Sequence, residues 1–372
     1  MGRLKLYINK NKKTVVIAIL FLSGIVGIIV GIEKLPRMNG SFDPSFDVGV
    51  VSTSDAEERT SIFYYSSKGE EVCEQIGLRY AAFGYLEDEP AVSNKHLYAA
   101  PEGLQGRSDG RRIVDLDLTN GSIEEHIIPE ILSGPSSISY CKGRIALCNN
   151  LNGKSNVGVY DLKTEKTIIH TFDNDKEGCV MDVLLTEKAV VCNGTGNGED
   201  KNFLYVLDAN TLEVIKHFET KSAPMHFVRE NENVYFSESR AENQFHSYIS
   251  ILDAKKYNLY EWKMEAENDI LSFMPIRNFR VVVDSEPQDE GSSKIITLGQ
   301  ENNRIDSLTI EKTLMQAIRK NNYLYALGRS ADNKGTVFKI HISDSGQLKL
   351  KQSFPVKSKS PKLPPSYIFV NK

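Results

Sequence analysis

The 372-residue chain is poor in the short patterns that announce chemistry. It has no His-Glu-x-x-His, no Gly-x-Ser-x-Gly, no glycine-rich phosphate loop and no calcium-loop pattern. The one-line signatures of zinc proteases, α/β hydrolases, nucleotide hydrolases and EF-hands are therefore missing. Its five cysteines, Cys73, Cys141, Cys148, Cys179 and Cys192, form no Cys-x-x-Cys pair, which leaves zinc and dithiol readings without support. We read them as buried free thiols, with one disulfide as the alternative; the odd count leaves at least one thiol unpaired in a monomer. Excess positive charge is missing too: 45 Lys and Arg stand against 49 Asp and Glu, a net charge of −4. A mildly acidic body argues against nucleic acid as a partner, since that role needs a basic face.

One long apolar run is present. Residues 14–32 (TVVIAILFLSGIVGIIVGI) carry no charge. As a helix they would reach about 28 Å, close to the ~30 Å hydrocarbon core of a bilayer. Arg3, Lys5, Lys10, Lys12 and Lys13 precede the run without an acidic residue, and after it Lys34 and Arg37 are offset by Glu33, Asp43 and Asp47. This bias predicts a single-pass anchor with residues 1–13 in the cytoplasm and the rest of the chain outside the plasma membrane. A cleaved signal peptide is the rival reading. It would have a shorter apolar region and a small-x-small site, and neither is seen. Residues 33–58, with Pro36, Gly40 and Pro44 and no apolar period, read as a flexible stalk.

Beyond the stalk one phrase recurs. Its clearest copy is Tyr205-Val206-Leu207-Asp208-Ala209-Asn210-Thr211: a strand ending in Asp, a polar turn, then a second strand. Looser copies place the Asp-equivalent position at Tyr65, Asp117, Asp161, Asp253, Gly299 and His341, 42 to 52 residues apart. A period of about 40–50 residues built from short strands predicts an all-β, seven-bladed β-propeller over residues 59–372. A count of six or eight follows if one copy is misread. Thr60–Tyr65 with Glu71–Gln75 supplies two strands ahead of the first full repeat, and Ser366–Val370 is a lone strand after the last. Joined in one sheet they would close the ring and remove two open edges.

The phrase at Leu204–Thr211, followed by Val214-Ile215, resembles the YVTN-type and quinoprotein-like propeller repeats. Partial echoes occur at Val159–Thr164 and Leu116–Gly121. The resemblance covers about three blades well; it implies fold and is nearly silent on activity. Its single tryptophan, Trp262, departs from the repeated tryptophans of quinone-binding members, so no quinone cofactor is expected. Trp-Asp, Gly-His and Gly-Gly dipeptides are absent, which excludes the WD40 and kelch patterns.

Propeller ligands usually sit at the channel mouth, where loops lead into the innermost strands. The repeat register places Glu87, Asp88, Ser136, Ser137, Asp182, His226, Ser272 and Gln316 at those entries. Of these, Glu87, Asp88, Asp182, His226 and Gln316 are the candidate ligand-binding set. Carboxylates, an imidazole and an amide on one axis could hold a divalent cation or a polar ligand; a plain wet channel mouth is the rival reading. The acidic segments Asn193–Asn202 and Asp284–Ser293 read as loops between second and third strands, and the lysine-rich Lys349–Lys362 as a solvated tail. Without a catalytic motif, the favoured function is a membrane-anchored module that presents the propeller to a protein or cell-surface polymer. The alternatives are a metal-dependent, lactonase-like hydrolase acting through Glu87, Asp182 and His226, and a sensor of a small ligand.

Overall fold

The computed structural model describes residues 37–39, 41–54, 59–84, 91–93, 95–101, 108–196, 201–220, 222–231, 233–239, 247–263, 270–276, 278–284, 291–330 and 332–371. The expected anchor at 14–32 and the residues Glu87 and Asp88 lie outside these. Among the described residues no helix is long and apolar enough to cross a membrane.

The strands form seven antiparallel sheets. Blade 1 comprises Ala91–Val92, His96–Ala99, Arg112–Asp117 and Ile123–Ile127. Blade 2 follows with Ser137–Cys141, Arg144–Leu151, Lys154–Asp161 and Lys166–Asp173, and blade 3 with Val183–Leu185, Ala189–Thr195, Asn202–Asp208 and Val214–Thr220. The inner strands of blades 4, 5 and 6 are Pro224–Glu230, Ile270–Ile276 and Leu314–Lys320. Each of the seven marker positions falls at the end of a third strand, His341 one residue before its end.

The Asp of the repeat has a local cause. Asp208 Oδ1 accepts the amides of Asn210 and Thr211 at 2.8 and 3.0 Å, and Asp161, Asp117 and Asp253 do the same for the residues after them. Each carboxylate folds the turn between the third and fourth strands. The residue four positions on takes a left-handed φ: Gly121, Glu165, Leu212 and Tyr257, at +75°, +57°, +58° and +55°. At two of the three positions without Asp, Tyr65 and His341, the job passes to a nearby serine. Ser66 Oγ accepts from Lys68 and Glu70, and Ser343 Oγ from Gln347.

Blade 7 closes the ring and corrects two expectations. Its order is Arg37–Asn39, Glu71–Leu78, Thr60–Tyr65, Val48–Ser52 and Pro365–Val370. The C-terminal strand is innermost and the other four come from the N-terminal side. Val48–Ser52, expected as stalk, is the fully buried second strand of this blade. Arg37–Asn39 adds a fifth strand at the rim. The expected tail Lys349–Lys362 is also ordered: Leu348–Pro355 is the outer strand of blade 6. Beyond it Lys357 pairs with Glu71 and Lys359 with Glu74, each at 2.9 Å. These lysines therefore tie blade 6 to blade 7.

Seven apolar clusters fill the seven interfaces between neighbouring blades. The blade 6–7 cluster joins Tyr325, Leu327 and Phe354 to Val48, Phe63 and Ile368. The blade 7–1 cluster joins Phe46, Tyr64 and Phe369 to Leu97, Val114 and Leu116. One core at every junction, including both sides of the closing blade, fixes the count at seven. None of the five cysteines is in a disulfide: four are buried and Cys179 is half-buried.

Candidate functional site

Because the strands of a blade alternate in direction, the ring has two faces. The entry face carries the loops into the inner strands and the hairpins between second and third strands. The exit face carries the turns between first and second strands and between third and fourth. The two acidic segments straddle second-to-third-strand connections on the entry face, but Asn193–Thr195 and Asp284 belong to second strands and Asn202 and Ser293 to third strands, which shortens the expected loops; residues 197–200 and 285–290 lie outside the described set.

On the entry face the structure brings Ser137, Asp182 and His226 together from blades 2, 3 and 4. Ser137 Oγ donates to Asp182 Oδ1 at 2.8 Å, and the Val183 amide donates to the same oxygen at 2.7 Å. Asp182 keeps some solvent contact as a residue, but its carboxyl sits in dense surroundings. Burial raises its pKa, against the opposing pull of the Ser137 hydroxyl, the nearby His226 imidazole and the Val183 and Phe227 amides. His226 has φ +54° in a strand whose register slips between Met225 and Val228. A bulge of this kind re-aims side chains at the rim of a sheet. Similar slips occur at Ile270/Ser272 in blade 5 and Leu314/Gln316 in blade 6.

Gln316 does different work. It is buried, and its Oε1 accepts the Ile368 amide of blade 7 at 2.6 Å. Ser137 and Ser139 make the same kind of bridge, accepting the amides of Val183 and Leu185 at 3.2 and 3.0 Å. Inner strands splay apart around the channel, and these side chains satisfy amides that no strand partner reaches. Gln316 thus joins blades 6 and 7. Among the described residues no three His, Cys, Asp or Glu side chains converge closely enough to hold a metal ion.

Two features of the surface escaped the sequence reading. The first is an asparagine lattice under the entry face. Asn149 donates to the carbonyls of Ile131 and Ser133 at 3.0 and 2.7 Å, and Asn150 to that of Val180 at 2.8 Å. Asn193 accepts the amides of Met181 and Asp182, both at 2.9 Å, and donates to the Pro224 carbonyl at 3.0 Å. Asn149 and Asn193 occupy equivalent positions, and the repeated Cys148-Asn149 and Cys192-Asn193 dipeptides were the available signal. Above this lattice stand Ile127, Ile131, Leu151, Met181 and Met225, between 38% and 71% exposed. They lie on the entry face of blades 1 to 4, Ile127 at the end of an outer strand, and among the described residues the other exposed large apolar side chains lie along outer strands.

The second is a cavity of about 610 Å³ on the exit face, lined by the first-to-second-strand turns of blades 1 to 4. Lys95, His96, Tyr140, Lys142, Glu187 and Arg229 face it. It lies at the opposite end of the inner strands from Asp182 and His226.

No protein-family model and no curated protein matches this chain. Solved structures do. A protein from Bacteroides fragilis described as a candidate 6-phosphogluconolactonase superposes with TM-score 0.61 at 13% identity, over 89% of this chain and 99% of its own. A counterpart from Bacteroides uniformis gives 0.58 at 13%, over 88% and 99%. A chain of the mitotic checkpoint complex gives 0.52 at 12%, over 74% and 78%. Identities this low carry the fold alone.

Proposed function

We propose that the chain is an interaction module, held at the outer face of the plasma membrane by residues 14–32, whose entry face docks a protein partner. The observation that carries this reading is the exposed apolar set Ile131, Leu151, Met181 and Met225, which stands on the loops and strand ends around the asparagine lattice. Exposed apolar side chains grouped on one face mark interaction surfaces. Methionine adapts its shape to an apolar partner at little cost. Preset loops reduce the entropy lost on association. The uncharged run and its cationic flank support the anchor. A chain of similar fold sits in the mitotic checkpoint complex, a protein assembly.

The test is crosslinking in intact cells, followed by purification of the tagged full-length chain from membranes. Parent protein should bring down a stoichiometric partner, and Met181→Asp/Met225→Asp should lose it while retaining the parent melting temperature. A partner retained by the double variant, or none captured with the parent, sinks the reading.

A further inference from the structure

The exit-face cavity has a charge balance of its own. Lys95, Lys142 and Arg229 face it with one carboxylate, Glu187, which is already bound to Lys142 at 2.6 Å. Among the described residues Lys95 Nζ has no ion-pair partner. Among the described residues the Arg229 guanidinium donates to the Leu185 carbonyl at 2.7 Å and has no ion-pair contact, so it is oriented there by a neutral acceptor. The backbone around these groups is firm. Lys142 and Asn231 occupy left-handed turn positions, and Arg144 bonds the Glu187 carbonyl at 2.7 Å. His96 and Tyr140 line the cavity, and the buried Tyr98 ring lies behind them, stacked on Tyr140 at 4.9 Å and on His96 at 5.9 Å.

From this geometry we infer that the exit-face cavity binds a small organic oxyanion, a phosphorylated or carboxylated molecule, at the cations Lys95, Lys142 and Arg229 that line it. Its volume of about 610 Å³ lies within the range of about 300–1,000 Å³ usual for small-molecule sites. Two cations on different blades can grip one oxyanion from both sides, and Arg offers paired donors to a phosphate or carboxylate. Glu187 acts as the internal occupant of this positive field. Its carboxyl is held below the ordinary range by Lys142 first, with smaller pulls from Arg229 and Lys188. An incoming anion would compete with Glu187 for Lys142. The inference concerns the face opposite the docking surface and stands or falls separately from it.

The test is calorimetric titration of the purified full-length chain with pyrophosphate in one arm and citrate in the other. Saturable binding at one site per chain is expected in at least one arm, and the tighter arm distinguishes a phosphate ligand from a carboxylate one. Lys95→Gln and Arg229→Gln should each weaken binding about tenfold, as expected for loss of one charge-assisted contact. Glu187→Gln should tighten it, because a competing anion is removed. Opposite signs at neighbouring positions are not the mark of general damage. Lys95→Gln also leaves every described inter-blade hydrogen bond in place, so its folding is secure. The inference is overturned if neither anion saturates at millimolar concentration, if Lys95→Gln and Arg229→Gln bind like the parent, or if Glu187→Gln weakens binding.

Discussion

Asp47→Asn should open the ring at its seam. Asp47 stands just before the second strand of blade 7, and its carboxylate gathers three donors from blade 6. Lys320 lies at 2.7 Å, Lys339 at 3.2 Å and the Tyr325 hydroxyl at 2.5 Å. All of these side chains are largely withdrawn from water. Burial works against the charge on Asp47, but the bonds from Lys320, Tyr325 and Lys339 outweigh it, so the carboxyl titrates below its ordinary value. Asn keeps the size and loses the charge, leaving two ammonium groups facing each other at a half-closed interface. Breaking a buried pair costs about 3–5 kcal/mol, and partial solvent access puts this site near 3. With about 2.1 cal/mol/K of unfolding entropy per residue, a chain of this size loses about 4 °C in melting temperature. The assay is thermal unfolding by circular dichroism, with Lys357→Ala as a control; its exposed pair with Glu71 should matter by under about 0.5 kcal/mol. The sign with pH follows from the depressed carboxyl. Its stabilisation is present above the unfolded pKa of about 3.9 and fades as pH falls through the lower folded value. The gap between parent and variant should therefore narrow from about pH 5 to about pH 3. A variant within about 1 °C of the parent at neutral pH, or a gap that does not narrow in acid, refutes the seam argument.

Asp182→Asn should behave in the opposite way, because burial raises that carboxyl. A raised acid loses stability as pH climbs from its unfolded toward its folded pKa. The amide still accepts from Ser137 and Val183, so the variant should match or exceed the parent at pH 8 by thermal unfolding, whereas Asp182→Ala, which strands the Ser137 hydroxyl and leaves the Val183 amide only its 3.2 Å bond to Ser137, should lose about 1–2 kcal/mol. Gly49→Ala should cost about 2–3 kcal/mol in denaturant titration, since a methyl there would lie 2.1 Å from the Phe369 ring. Phe369 is fully buried and packed edge-on between Phe46 and Tyr64, so it has nowhere to move. Thiol labelling of the native chain should modify Cys179 quickly and the four buried cysteines only on unfolding; burial pushes the Cys73 and Cys192 thiols up, away from the reactive thiolate. Fast modification of a second thiol would show that a blade interface opens.

Much of the fold was legible because its repeat is enforced locally. An Asp that folds its own turn leaves a mark in any blade that uses it, and Asp117, Asp161, Asp208 and Asp253 set the period. Val48–Ser52 was illegible for a related reason. Buried on both faces, it shows no polar–apolar alternation, and its five residues are flanked by the Pro, Ser and Asp of a linker. Leu348–Pro355 failed in the other direction: an outer strand with solvent on one side can carry lysines at successive outward positions and read as a tail. The repeat register was accurate enough to bring Asp182 and His226 together. It could not show that Gln316 is consumed by Ile368, because that bond crosses between blades 52 residues apart. The exit-face cavity had no signal at all. Its residues come from four turns of unrelated sequence, and only ring closure makes them neighbours.

The two faces differ in what holds them, and this bears on how each could act. Entry-face loops are pinned by side chains: Asn149, Asn150 and Asn193 bond to loop carbonyls and amides that the sheets leave unpaired. Such loops keep one shape whatever stands on their outer surface, which suits side chains that meet a partner by contact alone. The exit-face turns are short, and their charged tips reach to the neighbouring blade. Arg229 crosses to the Leu185 carbonyl of blade 3, and Lys142 to Glu187. A ligand that displaced Glu187 would change a contact between blades 2 and 3. Those same blades present Leu151 and Met181 on the other face. Rigid sheets joined by one apolar core per interface transmit rotation poorly unless that core repacks. The cluster between blades 2 and 3, with Cys148, Val157, Phe172, Val183, Cys192 and Tyr205, contains only buried side chains at its centre. The two faces should therefore respond independently: charge changes at Lys95 or Glu187 should leave partner capture unchanged, and Met181→Asp/Met225→Asp should leave anion affinity unchanged. A cross-effect in either direction would place the coupling in that cluster, where Phe172→Leu would be expected to weaken it.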